Sequence, residues 1–238
     1  MKRLRTASRG LPQEGLKLLA AGTMLLDHMG YLLFGSALWM RAVGRLAFPL
    51  YAFLLVEGFY HTHNFGRYLG RLLLCALLSE LPFDLALWGR VSAPEHQNVL
   101  VTLFLALICL WFLDLARELK RPALRVLGSA AAILTASGLA EAVRSDYGAL
   151  GIWFTALFYF TYGLPRWGCL LQGAALALLS AAYTRSFLDL ELLSAGAALL
   201  LVFYDGRQLT RSPGVKWAFY LFYPAHLLLL WAICHALR

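Results

Sequence analysis

Between residues 16 and 34 an apolar run carries Lys17 near its start and the pair Asp27-His28 deep in its far half. Three ionisable groups in a stretch long enough to cross a bilayer are costly, and such residues mark functional sites. Lys17 and His28 are eleven positions apart. At about 100° per residue they return to nearly the same helix face, roughly 16 Å apart along the axis. A histidine so placed can exchange a proton with a reacting group, and a lysine at the other end of the same face can hold an anion. Asp27 sits about 100° around the helix from His28 and is expected to meet a neighbouring helix. The plainer alternative makes Lys17 an interfacial anchor and His28 a hydrogen-bonded packing residue. That alternative suits an isolated histidine better than an Asp-His pair at membrane depth.

Composition dictates the elements that must hold these groups. Hydrophobic residues make up 61% of the 238, charged residues only 14%, and the mean hydropathy is +0.66; soluble domains carry about 25% charged residues. An all-α, polytopic helical membrane bundle is expected, because the strand-type alternation of a membrane barrel is absent. Nine spans are read at about 16–34, 42–60, 68–87, 98–115, 123–140, 148–162, 167–183, 187–204 and 217–236, with Gly163-Leu164-Pro165 as a breaker. Residues 1–15 then form a basic tail and 16–238 a single membrane domain. The first run is too long for a removable signal peptide and lacks a small-residue cleavage site.

Of the 21 Lys and Arg, fifteen fall in connections on one side and six on the other, which predicts a cytoplasmic N-terminus. The net charge of +8 is dispersed over helix ends rather than gathered in a stripe, so no nucleic-acid partner is expected. Cys75, Cys109, Cys169 and Cys234 lack metal-ligand or redox spacing and read as free thiols. His61-x-His63 offers two ligands without a third or fourth, so no metal site is expected.

This topology sorts polar residues by depth. Arg45, near the outer end of the second span, is level with His28; Glu80 and Asp84 flank Pro82 in the outer half of the third. Gln97-Asn98 and Asp146 enter later spans from outside, and His226 follows Pro224 within the last span. The inner face collects Lys17, Glu57, His61, Asn64, Arg67, Arg71 and Lys216, a set suited to an anionic ligand. Cytoplasmic loops are basic in most membrane proteins, which accounts for Arg117 to Arg125 better than for the stretch from His61 to Arg71.

The run from Leu16 to Gly30, the block Gly44 to Phe59 followed by His61-Thr-His-Asn64, and the motifs Ser79-Glu-Leu-Pro-Phe-Asp84, Gln97-Asn-Val99, Asp146-Tyr-Gly148 and Phe219-Tyr-Leu-Phe-Tyr-Pro-Ala-His226 resemble, in order, the TraX family of membrane proteins. That family is known for N-acetylation of conjugative pilin. The first helix is also similar to the pattern of a basic residue, a ten-residue gap and a histidine in the wider transmembrane acyltransferase superfamily, with Lys17 and His28 in the matching places.

The resemblance implies an integral protein of the bacterial cytoplasmic membrane that moves an acetyl group from cytoplasmic acetyl-CoA to an amine or hydroxyl acceptor. His28 would be the catalytic base and Lys17 the basic residue on the CoA side. Asp27 would orient or balance His28, and Arg45 or Asn98 would stabilise the oxyanion. Glu80, Asp84 and Asp146 would hold a cationic amino acceptor or neutralise Arg45, with Gln97 and His226 also on the acceptor side. Glu57, His61, Asn64, Arg67, Arg71 and Lys216 would share the CoA mouth with Lys17. The acceptor remains open among peptide, sugar and small molecule, and so does the oligomeric state; membrane lipids are the other partner. Two rival classes use the same residues: a small-molecule transporter or flippase, and a non-catalytic assembly factor.

Overall fold

A computed structural model describes residues 10–210 and 212–237 of the chain. Lys2, Arg3, Arg5 and Arg9 of the basic tail, and Arg211 and Arg238 from the topology count, lie outside the described residues.

The helices are α1 (Gln13–Leu32), α2 (Leu38–Gly44), α3 (Ala47–His61), α4 (Phe65–Phe83), α5 (Val99–Arg117), α6 (Pro122–Ala142), α7 (Gly148–Phe160), α8 (Gly168–Thr184), α9 (Ala197–Val202) and α10 (Pro213–Ala236). A π-helical turn, Asp84–Trp88, extends α4, and a 3₁₀ segment, Leu190–Gly196, leads into α9. With α2 and α3 taken as one pass and the 3₁₀ segment joined to α9, the described residues form nine helical segments. Leu38–His61, Val99–Arg117, Pro122–Ala142 and Pro213–Ala236 are long and apolar enough to cross a membrane. The first and third segments have the length, but their ionisable residues (Lys17, Asp27, His28; Arg67, Arg71, Glu80) lower their hydropathy. The chain is a helical membrane bundle. Its outward faces present apolar side chains such as Leu77, Val126, Leu127, Leu134 and Leu170, each more than half exposed, as a lipid-facing surface requires.

The core is built on α3, α5 and α7, where Phe53, Leu107, Leu110, Ile152, Phe154 and Phe158 are almost wholly enclosed. Buried all round, α7 needs no polar face and spans only 13 residues. The second pass breaks at Arg45-Leu46 because Pro49, in the first turn of α3, has no N–H to offer the Arg45 carbonyl. The helix around Pro82 continues to Phe83 and widens into the π turn, ended by Gly89 at φ 64°. Two glycines bring α1 and α2 together: a Cβ on Gly30 would lie 2.7 Å from Met40 Cβ, and one on Gly44 would overlap the Asp27 side chain. The start of α1 is tied to the segment before α10 by a bridge from Leu11 to Tyr204 and by the Gly10 amide donating to Asp205 at 3.0 Å.

Candidate functional site

A cavity of about 380 Å³ enters the bundle between α1, α3, α4, α5 and α10. Its mouth is basic and polar, with Lys17, His61, His63, Arg71 and Lys216. Lys17 reaches it from the second turn of α1, steadied by Gln13 at 3.4 Å and by the Phe219 ring at 5.5 Å. The walls are apolar, and the deep end is closed by Met24, Tyr51, Val99 and Tyr223. Met24 lies one helical turn before His28, and Tyr223 one turn before His226. The cavity thus runs along the Lys17–His28 face of α1 and stops beside the histidines.

His28 and His226 face each other across α1 and α10, their rings stacked at 5.0 Å and His28 Nδ1 2.8 Å from His226 Nε2. His226 Nδ1 lies 2.8 Å from the Phe222 carbonyl. A carbonyl only accepts, so His226 must carry its proton on Nδ1, and in the neutral ring Nε2 is then the acceptor. His28 therefore donates from Nδ1, which leaves the lone pair of its Nε2 free. This is the form a general base requires. His226, expected on the acceptor side, is instead the partner that sets the tautomer of His28.

Asp27 turns away from this pair, as its offset on the helix requires. Arg41 Nη1 lies 2.6 Å from its carboxylate, Arg45 Nη2 3.0 Å from both oxygens, and Arg45 Nη1 also donates to Glu191 at the start of the 3₁₀ segment. The four groups form a half-buried ion quartet that joins α1, α2 and the 3₁₀ segment. Arg45 is committed there, its guanidinium 5.9 Å from the Tyr147 ring, and Asp27 holds arginines rather than the imidazole. Arg41 and Glu191 escaped the sequence reading. The signal available was the i,i+4 pair of arginines facing an aspartate, a charge excess that needs a second acid.

The other expected residues divide plainly. Asn98 is fully buried as the cap of α5: its oxygen accepts from the Leu100 amide at 2.9 Å, and its nitrogen donates to the Ala76 carbonyl and to Glu80. Glu80 is thereby engaged, and Asp84 accepts from the Ala93 amide at 2.8 Å. Both acids fasten the connection between α4 and α5. Gln97 pairs with Ser145 in an isolated bridge, with the Asp146 amide 2.9 Å from the Gln97 carbonyl. The Asp146 side chain is exposed beside the ion quartet. On the basic face, Lys17, His61, Arg71 and Lys216 line the cavity, whereas Glu57, Asn64 and Arg67 do not. Glu57 is buried and accepts from Tyr162 and Tyr204 at 3.0 and 3.1 Å, and Asn64 caps α4 by accepting from the Arg67 amide at 2.9 Å. Tyr51 and Tyr223, at the deep end, were not singled out from sequence, since an aromatic in a hydrophobic run reads first as packing.

Comparison with known proteins bears out the family resemblance. The family model described as TraX protein matches residues 12–234. A relative from Dichelobacter nodosus, named "Probable fimbrial assembly protein FimC, serogroup H1", is 34% identical over 236 residues, covering 90% of this chain and 92% of its own. No solved structure matches the chain.

Proposed function

This chain belongs to the TraX family, and from that premise we propose that it transfers an acetyl group from acetyl-CoA to an amine or hydroxyl of an acceptor, with His28 as general base. In this reading the basic face is cytoplasmic and the bilayer is the bacterial cytoplasmic membrane. One observation carries it: a cavity that begins at Lys17, Arg71 and Lys216 and ends beside a histidine held with its Nε2 lone pair free. The cations suit the phosphates of CoA, and the largely apolar walls suit its pantetheine arm, which would bring the thioester to the deep end. As the acceptor nitrogen or oxygen attacks the carbonyl carbon, His28 Nε2 takes its proton; on collapse the C–S bond breaks and that proton passes to the departing sulfur. The pilin N-acetylation known for the family, and a relative named for fimbrial assembly, make the amine of a pilin-like peptide the first acceptor to try.

The test is release of free thiol by the purified protein given acetyl-CoA and amino or hydroxyl acceptors. His28→Ala is expected to bind acetyl-CoA and release no thiol, and Lys17→Ala to bind it more weakly. A wild-type protein that neither binds acetyl-CoA nor releases thiol with any acceptor would remove the reading and favour flux measurements in liposomes.

A further inference from the structure

Acyl transfer needs hydrogen-bond donors aimed at the oxygen on which negative charge develops. The two residues expected for this task are spent, Arg45 in the ion quartet and Asn98 in the cap of α5. Donors do stand at the deep end of the cavity. Tyr223 is 4% exposed, and its hydroxyl makes no hydrogen bond of ordinary geometry among the described residues. A buried hydroxyl left unpaired is costly, and phenylalanine would fill the same space without that cost. The hydroxyl oxygen interacts with the backbone amide of Val99, the first residue of α5, whose N–H has no partner within its own helix. That contact engages the oxygen and leaves the O–H proton to donate. Tyr51 stands close by on the same wall. The Tyr223 ring is 6.3 Å from that of His28 and 5.7 Å from that of His226.

We propose that Tyr223 is a catalytic residue that donates its hydroxyl proton in a hydrogen bond to the thioester carbonyl oxygen of an acyl-CoA, with Tyr51 as a second donor. The inference rests on the acyltransferase reading. When the acceptor's lone pair forms the new bond to the carbonyl carbon, the C=O π pair moves onto oxygen and Tyr223 stabilises it there. The pair returns as the C–S bond breaks, and the proton held by His28 leaves with the sulfur. Tyr223 keeps its own proton throughout.

The experiment compares wild type, Tyr223→Phe, Tyr51→Phe and His28→Ala for acetyl-CoA-dependent thiol release, acetyl-CoA affinity and thermal midpoint. Tyr223→Phe is expected to lose on the order of 10²-fold in kcat, with acetyl-CoA affinity unchanged and a midpoint at or above that of wild type. Tyr51→Phe is expected to lose less. Wild-type turnover in Tyr223→Phe, measured where His28→Ala is inactive, would overturn the assignment and leave the acyltransferase reading standing. So would a loss confined to acetyl-CoA affinity or to the midpoint. A wild-type protein without acetyl-CoA binding or thiol release would overturn both.

Discussion

The hydrogen bond from His28 to His226 predicts a specific loss when the acceptor is removed. His226→Phe keeps the ring volume and the stack on Phe222 but leaves His28 Nδ1, now 2.8 Å from an acceptor, facing carbon. The lost bond is worth about 0.5–1.5 kcal/mol net, and an N–H left buried and unpaired costs about 1–3 kcal/mol. His28 escapes that cost by turning or by moving its proton to Nε2, and in either case the base is lost. At about 1.4 kcal/mol per factor of ten, the productive form should fall roughly 10- to 100-fold. Thiol release from acetyl-CoA should fall by that factor, with acetyl-CoA affinity unchanged. His226→Gln supplies an amide oxygen that can accept from Nδ1 and should recover much of the loss. If His226→Phe turns over at the wild-type rate, or if Gln does no better than Phe while both variants fold, the tautomer argument is refuted.

Three further outcomes follow from the geometry. At the mouth, Arg71→Ala and Lys216→Ala should each weaken acetyl-CoA binding only a few-fold, since a partly exposed ion contact is worth about 0.2–1 kcal/mol; titration calorimetry at two salt concentrations should show a shallower salt dependence in each. Asp27→Ala strands Arg41, leaves Arg45 to Glu191 alone and should cost about 1–3 kcal/mol, read as a lower thermal midpoint in detergent; Gly44→Ala, whose Cβ would overlap Asp27, should fall with it, while Gly22→Ala, facing open space, should not. Asp205 combines some burial, which by itself raises its pKa, with hydrogen bonds from the Arg207 amide and guanidinium and the Gly10 amide, which together hold the carboxyl below its usual range. Because the folded value is the lower one, this clasp contributes fully above the unfolded carboxylate pKa, about 3.9, and is lost as pH falls through the folded value. Hydrogen exchange at Gly10 and Arg207 should accelerate over that window in wild type and show no such dependence in Asp205→Asn.

Periodicity and hydropathy made the nine helical segments legible, because a bilayer enforces long apolar helices whatever they pack against. Breaks were harder to see. Pro49 ends the continuity of the second pass through the carbonyl four residues back, whereas Pro82 and Pro224 sit inside helices that continue. At the site, the face shared by Lys17 and His28 followed from spacing alone. The partners did not, because they come from α10 and from the 3₁₀ segment, nearly 200 and more than 140 positions away in the chain. Polar residue types misled where the backbone claimed them: Asn98 and Asn64 read as chemistry and serve as helix caps. Tyr223 erred the other way, since only its depth and a hydroxyl proton with no acceptor among the described residues distinguish it from the neighbouring aromatics.

The charge balance around His28 carries the argument to the acceptor. Asp27 and Glu191 pair with Arg41 and Arg45, so the ion quartet itself holds two charges of each sign. Asp146 lies within electrostatic reach of Arg45 and Asp27, is exposed, and takes part in no ion pair among the described residues. Asp146 thus adds a carboxyl to the surroundings of the quartet, beside the two that Arg41 and Arg45 already pair with. An ammonium acceptor is attracted there, gives one proton to solvent to become the nucleophilic amine, and gives the second to His28 as it attacks; a hydroxyl acceptor gains nothing from the extra charge. Asp146→Asn should accordingly raise KM for amine acceptors several-fold, as expected for a contact of about 1 kcal/mol between partly solvated charges, and leave KM for hydroxyl acceptors and the affinity for acetyl-CoA unchanged. Equal effects on the two acceptor classes would show that Asp146 acts through the fold, by way of the bridge between Gln97 and Ser145, and not through the charge of the acceptor.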